Sequence, residues 1–365
     1  MNIDAKKVLE VAVNRGCADI FIVAGNVVTA RVNGRVEPLP IAELVEGGET
    51  PERDFLMPED TQRLIQSFYE IAGNRSMDKF MEVGEDDFSF SIPGVSRFRM
   101  NAYKQRGSLA AVIRVISFDI PDPTDLNIPQ QILDLGKLNK GLVVVTGPAG
   151  SGKSTTLACI IDEINSSKSA NIITLEDPIE YLHRHKKSLI SQREIDIDTQ
   201  SYVNGLRATL RQSPDVILLG EMRDYETINV AMSAAETGHL LFTTLHTIGA
   251  ASTINRIIDV FPADQQRQVS VMLSMVLQAV VSQQLVPTKD GGMIPVFEIM
   301  TNTPAVSNLI RSGKAYQIDS VIASEKEDML SMDSCLLNYY KQGLITKEVA
   351  LQYAINPDML ERKLV

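Results

Sequence analysis

The sequence predicts an α/β protein in two parts: a mainly parallel sheet with helices on both faces, preceded by a smaller α+β domain. Three observations predict it. Beyond residue 140, the apolar runs GLVVVT, NIITLE, DVILLGE and HLLFTTLH alternate with helix-like stretches and, between NIITLE and DVILLGE, a polar one, the pattern of strands buried on both faces and joined by helical crossovers. Before residue 118 the apolar residues recur at every second position, as in FSFSI and SRFRMNAYKQ, which suits strands with one covered face. Between these regions ISFDIPDPTDLNIPQ carries Pro121, Pro123 and Pro129, a composition that resists helix and strand and reads as a semi-rigid linker. The expected boundaries are therefore 1–118 for the first domain, 119–133 for the linker and 134–365 for the second domain.

Composition narrows the function. With 365 residues, 44% of them hydrophobic, the chain can bury the cores of about two domains. A net charge of −11 disfavours nucleic acid as a partner, because phosphate-backbone binding requires a basic face. Cys17, Cys159 and Cys335 are widely spaced and form no Cys-x-x-Cys pair, so neither a disulfide framework nor zinc is expected. The opening MNIDAKKVLEVAV has no apolar core of a signal peptide, and no window approaches the ~20 apolar residues of a spanning helix. A cytoplasmic setting is expected, with any membrane association supplied by partners.

Taken in order, residues 4–14 place Val8, Leu9, Val11 and Ala12 at helical spacing, and ADIFIVAG and VVTARVNG then read as a hairpin turning at Gly25-Asn26. From Pro38 to Pro58 the chain is acidic and holds Gly47-Gly48 and Pro51, the signature of a long exposed loop. TQRLIQSFYEIA reads as a helix, and FSFSI, SRFRMNAYKQ and LAAVIRVIS as strands turning at Pro93-Gly94 and Gly107. The segment beyond Pro304 reads as mainly helical.

GPAGSGKST follows the apolar run GLVVVT and precedes the helix-like LACIIDEI. In that strand-to-helix context Gly147, Pro148, Ala149, Gly150, Ser151 and Gly152 form a loop whose backbone N–H groups can close around phosphate oxygens. Lys153 then starts a helix whose N-terminus favours β/γ-phosphate charge, with the Ser154 hydroxyl suited to Mg²⁺ and Thr155 beside it. The expected ligands are ATP and Mg²⁺. LEDPIEY puts Glu176, Asp177 and Glu180 at the C-terminal end of the next strand, the edge where ligands collect in such sheets; any of the three can orient the attacking water. DVILLGEMRD places Glu221 where a Walker-B carboxylate holds Mg²⁺. HLLFTTLHT brings His246 to a further strand end, where it can sense the γ-phosphate; its competing reading is structural. His183 and His185 read as members of a solvated loop, and His239 has no metal-binding spacing to His246.

In this order and spacing the four motifs resemble the Walker A, Asp box, Walker B and His box of the secretion ATPases of type IV pili and type II secretion, and among these the pilus retraction (twitching motility) ATPases. The resemblance runs from ADIFIVAGNVVTARVNGRV to AVSNLIRSGKAYQI and the tail MDSCLLNYYKQGLITKEVALQYA, which is essentially the whole chain. It implies a PAS-like N-terminal domain and a RecA-like P-loop ATPase domain, assembled as a homohexamer that works at the cytoplasmic face with an inner-membrane pilus platform protein, alone or with a paralogous retraction ATPase. Carried over by motif, it implies Lys153 and Ser154 on phosphate and Mg²⁺, Glu180 as the water-activating carboxylate, Glu221 as the Walker-B acid, His246 as the His-box residue, and Arg99, Arg106 and Arg114 as candidates to reach the nucleotide. In retraction ATPases the segment matching AVSNLIRSGKAYQI is needed for retraction; here Val306, Leu309 and Ile310 would give its helix one apolar face, with Arg311 and Lys314 outward. The chain departs from its relatives in reading Asp19-Ile20-Phe21 where they carry Asp-Leu-His and in the long GGETPERDFLMPED insertion; its Walker-B strand ends in Gly-Glu rather than the doubled acid of many P-loop enzymes, as is usual for this family.

Three functions compete on this reading: pilus retraction, assembly or export by a sister ATPase (or an accessory retraction paralogue), and nucleic-acid translocation by a RecA-fold motor. The assembly relatives generally carry a four-cysteine zinc insertion, which three scattered cysteines cannot build. The acidic charge opposes the third.

Overall fold

The computed structural model describes residues 3–364 apart from 33–34, 46–52, 54, 117 and 325–328. The loop read at Gly47-Gly48 and Pro51 lies outside the described residues. Two compact units emerge, one of Met1–Asp119 with Glu180–Leu182 and one of Ile120–Ile179 with His183–Val365.

In the first unit α1 (Ala5–Asn14) starts where the Asp4 carboxylate accepts the Lys6 and Lys7 N–H groups at 2.8 and 3.3 Å, satisfying two donors that a helix start leaves open. The chain continues through β1 (Asp19–Ile22), β2 (Thr29–Val32), β3 (Arg35–Pro38), α2 (Ile41–Leu44), α3 (Pro58–Ile71), α4 (Asp78–Val83), β4 (Glu85–Ile92), β5 (Ser96–Gln105) and β6 (Ser108–Ile116). The strands form one antiparallel sheet in the order β3-β2-β1-β6-β5-β4. Phe98, Met100 and Ala102 of β5 are buried at alternate positions, so the period-2 reading holds there. A third hairpin strand, β3, and the short helices α2 and α4 escaped the sequence reading. Each has six residues or fewer, too short to build a periodic signal.

In the second unit α5 (Gln130–Asp134), β7 (Gly141–Thr146), α6 (Lys153–Ser167), β8 (Asn171–Glu176), β9 (Leu189–Glu194), α7 (Tyr202–Thr209), β10 (Val216–Leu219), α8 (Tyr225–Glu236), β11 (Leu240–Leu245), α9 (Ala250–Asp259), α10 (Gln266–Val276), β12 (Leu277–Pro287) and β13 (Met293–Thr301) precede the helices α11 (Pro304–Arg311), α12 (Ile318–Ile322), α13 (Met332–Lys341), α14 (Lys347–Tyr353) and α15 (Pro357–Glu361). The sheet order is β13-β12-β7-β11-β10-β8-β9, parallel throughout except for β13 on β12. Every residue of β7, β10 and β11 is buried, and separate apolar cores lie on the two faces: Leu142, Val144 and Val280 join one, Val143, Val145 and Val281 the other. The stretch read as polar contains β9 and α7; β9 is an edge strand that exposes the apolar Leu189 and buries the charged Glu194, so residue polarity does not report which side is covered. The proline-bearing segment is laid against a core, with Ile128 and Ile132 packed beside Val143 and Val145.

Glu298 of β13 is 3% exposed and accepts the Ala250 N–H at the start of α9 at 2.8 Å. Burial foremost, opposed by that N–H but reinforced by the Asp319 and Asp333 carboxylates, pushes its pKa up to about 7. The folded protein therefore holds a proton that the unfolded chain releases near pH 4.5, and this group's contribution to stability is lost as pH rises from about 4.5 to 7 and is constant above. Glu298→Gln keeps an acceptor for Ala250 without the titration. Its unfolding midpoint relative to wild type, followed from pH 5 to 8, is expected to rise up to pH 7 and then level, with a plateau gain of at most about 3 kcal/mol.

Candidate functional site

The loop after β7 is shaped by close approach. Gly147 has φ +143° and a Cβ there would stand 2.0 Å from the Gln283 carbonyl oxygen, so no side chain fits; Gly152, with φ +88°, begins α6 without a side-chain cap. The N–H groups of the first turn of this 15-residue helix are thereby available to an anion. Lys153 is 8% exposed and its Nζ donates to the carbonyls of Gly147 and Pro148, both at 2.9 Å, which holds the ammonium against the loop. Ala149 and Gly150 are exposed, Pro148, Ser154 and Thr155 half-buried. Ser151 Oγ, Thr146 Oγ1 and Thr243 Oγ1 are buried without a hydrogen-bond partner. Leaving such groups unmet costs about 1–3 kcal/mol each, and ligand oxygens or their waters would satisfy them. The residues present fit a nucleotide polyphosphate.

Parallel register brings the other motifs to the same edge. Thr146 pairs with Leu245, so His246 leaves its strand beside the point where Gly147 leaves β7. Leu219 pairs with Thr243 on one side and Leu175 on the other, which puts Gly220-Glu221 and Glu176 next along the edge. Glu221 Oε2 is 2.7 Å from Arg223 Nε and 3.5 Å from His246 Nε2. The Glu221 carboxylate and the His246 imidazole are thus neighbours, and Thr244 Oγ1 donates to Gly220 O at 2.6 Å to fix their two strand ends.

Glu176 accepts from Thr174 Oγ1 at 2.6 Å and Gln192 Nε2 at 3.1 Å, a structural use of that carboxylate. Glu180 is exposed, and its short segment Glu180–Leu182 groups with the first unit. Tyr202 of α7 was missed. Its hydroxyl oxygen would stand 2.7 Å from a Cβ on Gly220. Burial first, and then the carboxylates of Glu221, Asp177 and Glu176, push the phenol up. Carboxylates from two motifs therefore act electrostatically on one hydroxyl. Only its place after the helix cap Ser201 marked it in the sequence, and that signal carries no chemistry.

Within the first unit, Arg99 of β5 and Arg114 of β6 are direct register partners, and Asp19 pairs with Arg114 and Arg31 in the same row. Asp19 meets Arg114 Nε at 3.1 Å and Arg31 Nε at 3.2 Å; Arg99 forks onto Asp87 at 2.7 and 3.0 Å. Arg106 is exposed in the β5–β6 turn with φ +47°. His183 corrects the sequence reading: desolvation, opposed by Asp162, lowers its pKa to about 4, and its Nδ1 is buried without a partner. Solvation was expected from its charged neighbours, yet those point outward while the imidazole is covered. His239 Nδ1 lies 2.9 Å from Ala234 O, a structural contact.

Residues 110–332 match the family model described as type II/IV secretion system protein. The chain is 41% identical over 97% of its length to the type IV pilus retraction ATPase PilT of Pseudomonas aeruginosa, covering 99% of that protein, and 40% identical over 96% to the type IV pilus ATPase PilU of the same organism, covering 88% of it. A crystal structure of the pilus retraction motor PilT with bound ADP superposes with a TM-score of 0.85, at 44% identity and 98% coverage of both chains.

Lys153→Ala removes the buried cation of the loop and is expected to abolish ATP turnover and to weaken calorimetric ATP binding severely; undiminished binding would refute the site. Glu180→Gln is expected to keep nucleotide affinity while turnover falls by about 10²-fold, the worth of a general base. Retention of half the wild-type rate would move that role to another carboxylate.

Proposed function

Because the chain belongs to the type II/IV secretion system protein family, we propose that this ATP hydrolase is a hexameric motor that powers retraction of a type IV pilus. The observation that carries this reading is the match to a retraction ATPase over 97% of this chain and 99% of that one, with all four motifs filled. Lys153 and the α6 N-terminus would counter β/γ-phosphate charge. Ser154 and Glu221 are the side chains suited to hold Mg²⁺, which when bound would neutralise charge that develops on the phosphates. Glu180 is proposed to orient the attacking water, and His246, beside Glu221, to register the loss of the γ-phosphate. Arg99, Arg106 and Arg114 remain candidates to meet the nucleotide. Arg99 and Arg114 now pair with Asp87 and Asp19 in surface ion pairs worth about 0–1 kcal/mol each, so redirecting either guanidinium toward phosphate costs little.

The partners proposed are five further copies of this chain, an inner-membrane pilus platform protein at the cytoplasmic face, and a paralogous retraction ATPase. Among the described residues no helix is long and apolar enough to cross a membrane, so attachment to the inner membrane would run through the platform protein. A second reading, that the chain is itself the accessory paralogue, is favoured by the nearly equal identity to PilU. Deleting the gene and counting surface pili separates the readings. Abundant pili that do not retract support the motor, pili that retract with reduced force support the accessory role, and bald cells would point to assembly.

In α11 Val306 and Ile310 are fully buried while Arg311 at its end and Lys314 just beyond it are exposed, which fits a segment that presents its charges to a partner. Replacing Arg311 and Lys314 together by Ala is expected to abolish retraction in cells while leaving ATP turnover and hexamer mass close to wild type, since exposed substitutions seldom change stability by more than about 0.5 kcal/mol. Normal retraction, or hydrolysis and retraction lost in proportion, would refute the coupling role.

A further inference from the structure

Strand β12 belongs to none of the four nucleotide motifs, yet two of its consecutive residues grip two of the loops that carry them. Gln283 is 3% exposed; its Oε1 accepts from Thr156 Oγ1 at 2.7 Å, and Thr156, itself 1% exposed, sits in the first turn of α6. The Gln283 Nε2 lies 2.9 Å from where a Cβ on Gly152 would be, and its carbonyl oxygen 2.0 Å from that of Gly147. One residue thus abuts the first and last glycines of the phosphate loop and the helix that follows it.

Ser282 points to the other face of the sheet, as strand alternation requires. Its Oγ accepts the Gly249 N–H at 2.9 Å. Glu298, the register partner of Ser282 on β13, accepts the next N–H, that of Ala250. Gly249 and Ala250 begin α9 three residues beyond His246, so these two acceptors fix the loop on which the imidazole rides. All three side chains are at most 3% exposed, where a hydrogen bond is both stronger and costlier to break than at a surface.

We propose that Gln283 and Ser282 are positioning residues for the nucleoside triphosphate: Gln283 sets the phosphate loop, Ser282 with Glu298 sets the His246 loop, and the peptide between them makes the two loops move as one. The inference rests on the ATPase reading and not on pilus retraction. A strand rigidly paired to β7 on one side and to β13 on the other is suited to this, because displacements well under a van der Waals radius at reacting groups cost large factors in rate.

Steady-state ATP hydrolysis by the full-length protein tests it, with unfolding midpoints measured in parallel and assays run well below them. Gln283→Leu is expected to raise KM for ATP and to lower kcat by about tenfold. Ser282→Ala is expected to lower kcat with KM nearly unchanged, since the His246 loop acts after binding. Thr156→Val should reproduce the Gln283→Leu loss, and the double variant should be no worse than either single one, the non-additivity of a shared contact. Gln283→Glu covers the case in which the leucine variant fails to fold: it keeps an acceptor for Thr156 and sets a carboxylate beside Gly152, and is expected to weaken binding of a non-hydrolysable ATP analogue by about tenfold or more through charge repulsion. Variants with lowered midpoints but wild-type kcat, KM and analogue affinity, or strictly additive losses for Thr156 and Gln283, would overturn the proposal. Wild-type turnover in the same assay upholds the ATPase reading either way, so the two failures are distinguishable.

Discussion

Everything at the nucleotide edge follows from the burial of β7 on both faces between two parallel neighbours. In a strand so placed an unmet polar side chain is costly, and in β7 the one polar side chain, Thr146, stands at its last position, so chemistry gathers where the chain leaves the sheet. Parallel pairing then puts every such exit on one edge. With Thr146 opposite Leu245 on one side and Ser282 on the other, the phosphate loop, the His-box loop and the β12 anchors occupy one short stretch of that edge. The same crowding decides residue type: Gly147 lies against the Gln283 backbone, so glycine is required there for space as well as for its φ.

Charge is arranged in opposite ways in the two units. The chain is acidic overall, at −11, yet the first unit sets Arg31, Arg114 and Arg99 in one cross-strand row, with Asp19 seated between Arg31 and Arg114. Like charges directly opposite each other destabilise a sheet, and Asp19 and Asp87 offset this with exposed pairs of small individual worth. In the second unit the carboxylates converge instead. Glu221, Asp177 and Glu176 bear on the half-buried Tyr202, and Arg223 and His246 stand beside Glu221. A site of carboxylates and one lysine held against a glycine-rich loop is suited to orienting water and a divalent cation rather than to covalent catalysis.

Glu298 shows how the tail joins this scheme. It is a buried carboxylate that holds the start of α9 from β13, and β13 leads directly into α11, which ends at the exposed Arg311 with exposed Lys314 three residues further on. Nucleotide edge and candidate partner helix are therefore two strands apart in one sheet, connected through backbone hydrogen bonds rather than flexible loops.

The sequence by itself determined the α/β class of the second unit, the central strands, the phosphate loop and the positions of Glu221 and His246, because those features are local: contiguous buried runs, a glycine pattern, a strand followed by a carboxylate. It determined the apolar face of α11 for the same reason. What only tertiary structure decided were contacts between residues far apart in the chain. Thr156 and Gln283 lie 127 positions apart, and Gly249 and Ser282 lie 33 apart; nothing in either neighbourhood announces the other. The half-burial of His183, with its Nδ1 covered, the effect of two acidic motifs on Tyr202 and the edge strand β9 belong to the same class. Periodicity reports which side of an element is covered, but what covers it depends on the order in which strands pair, and that order is fixed by the packing of two cores against one sheet.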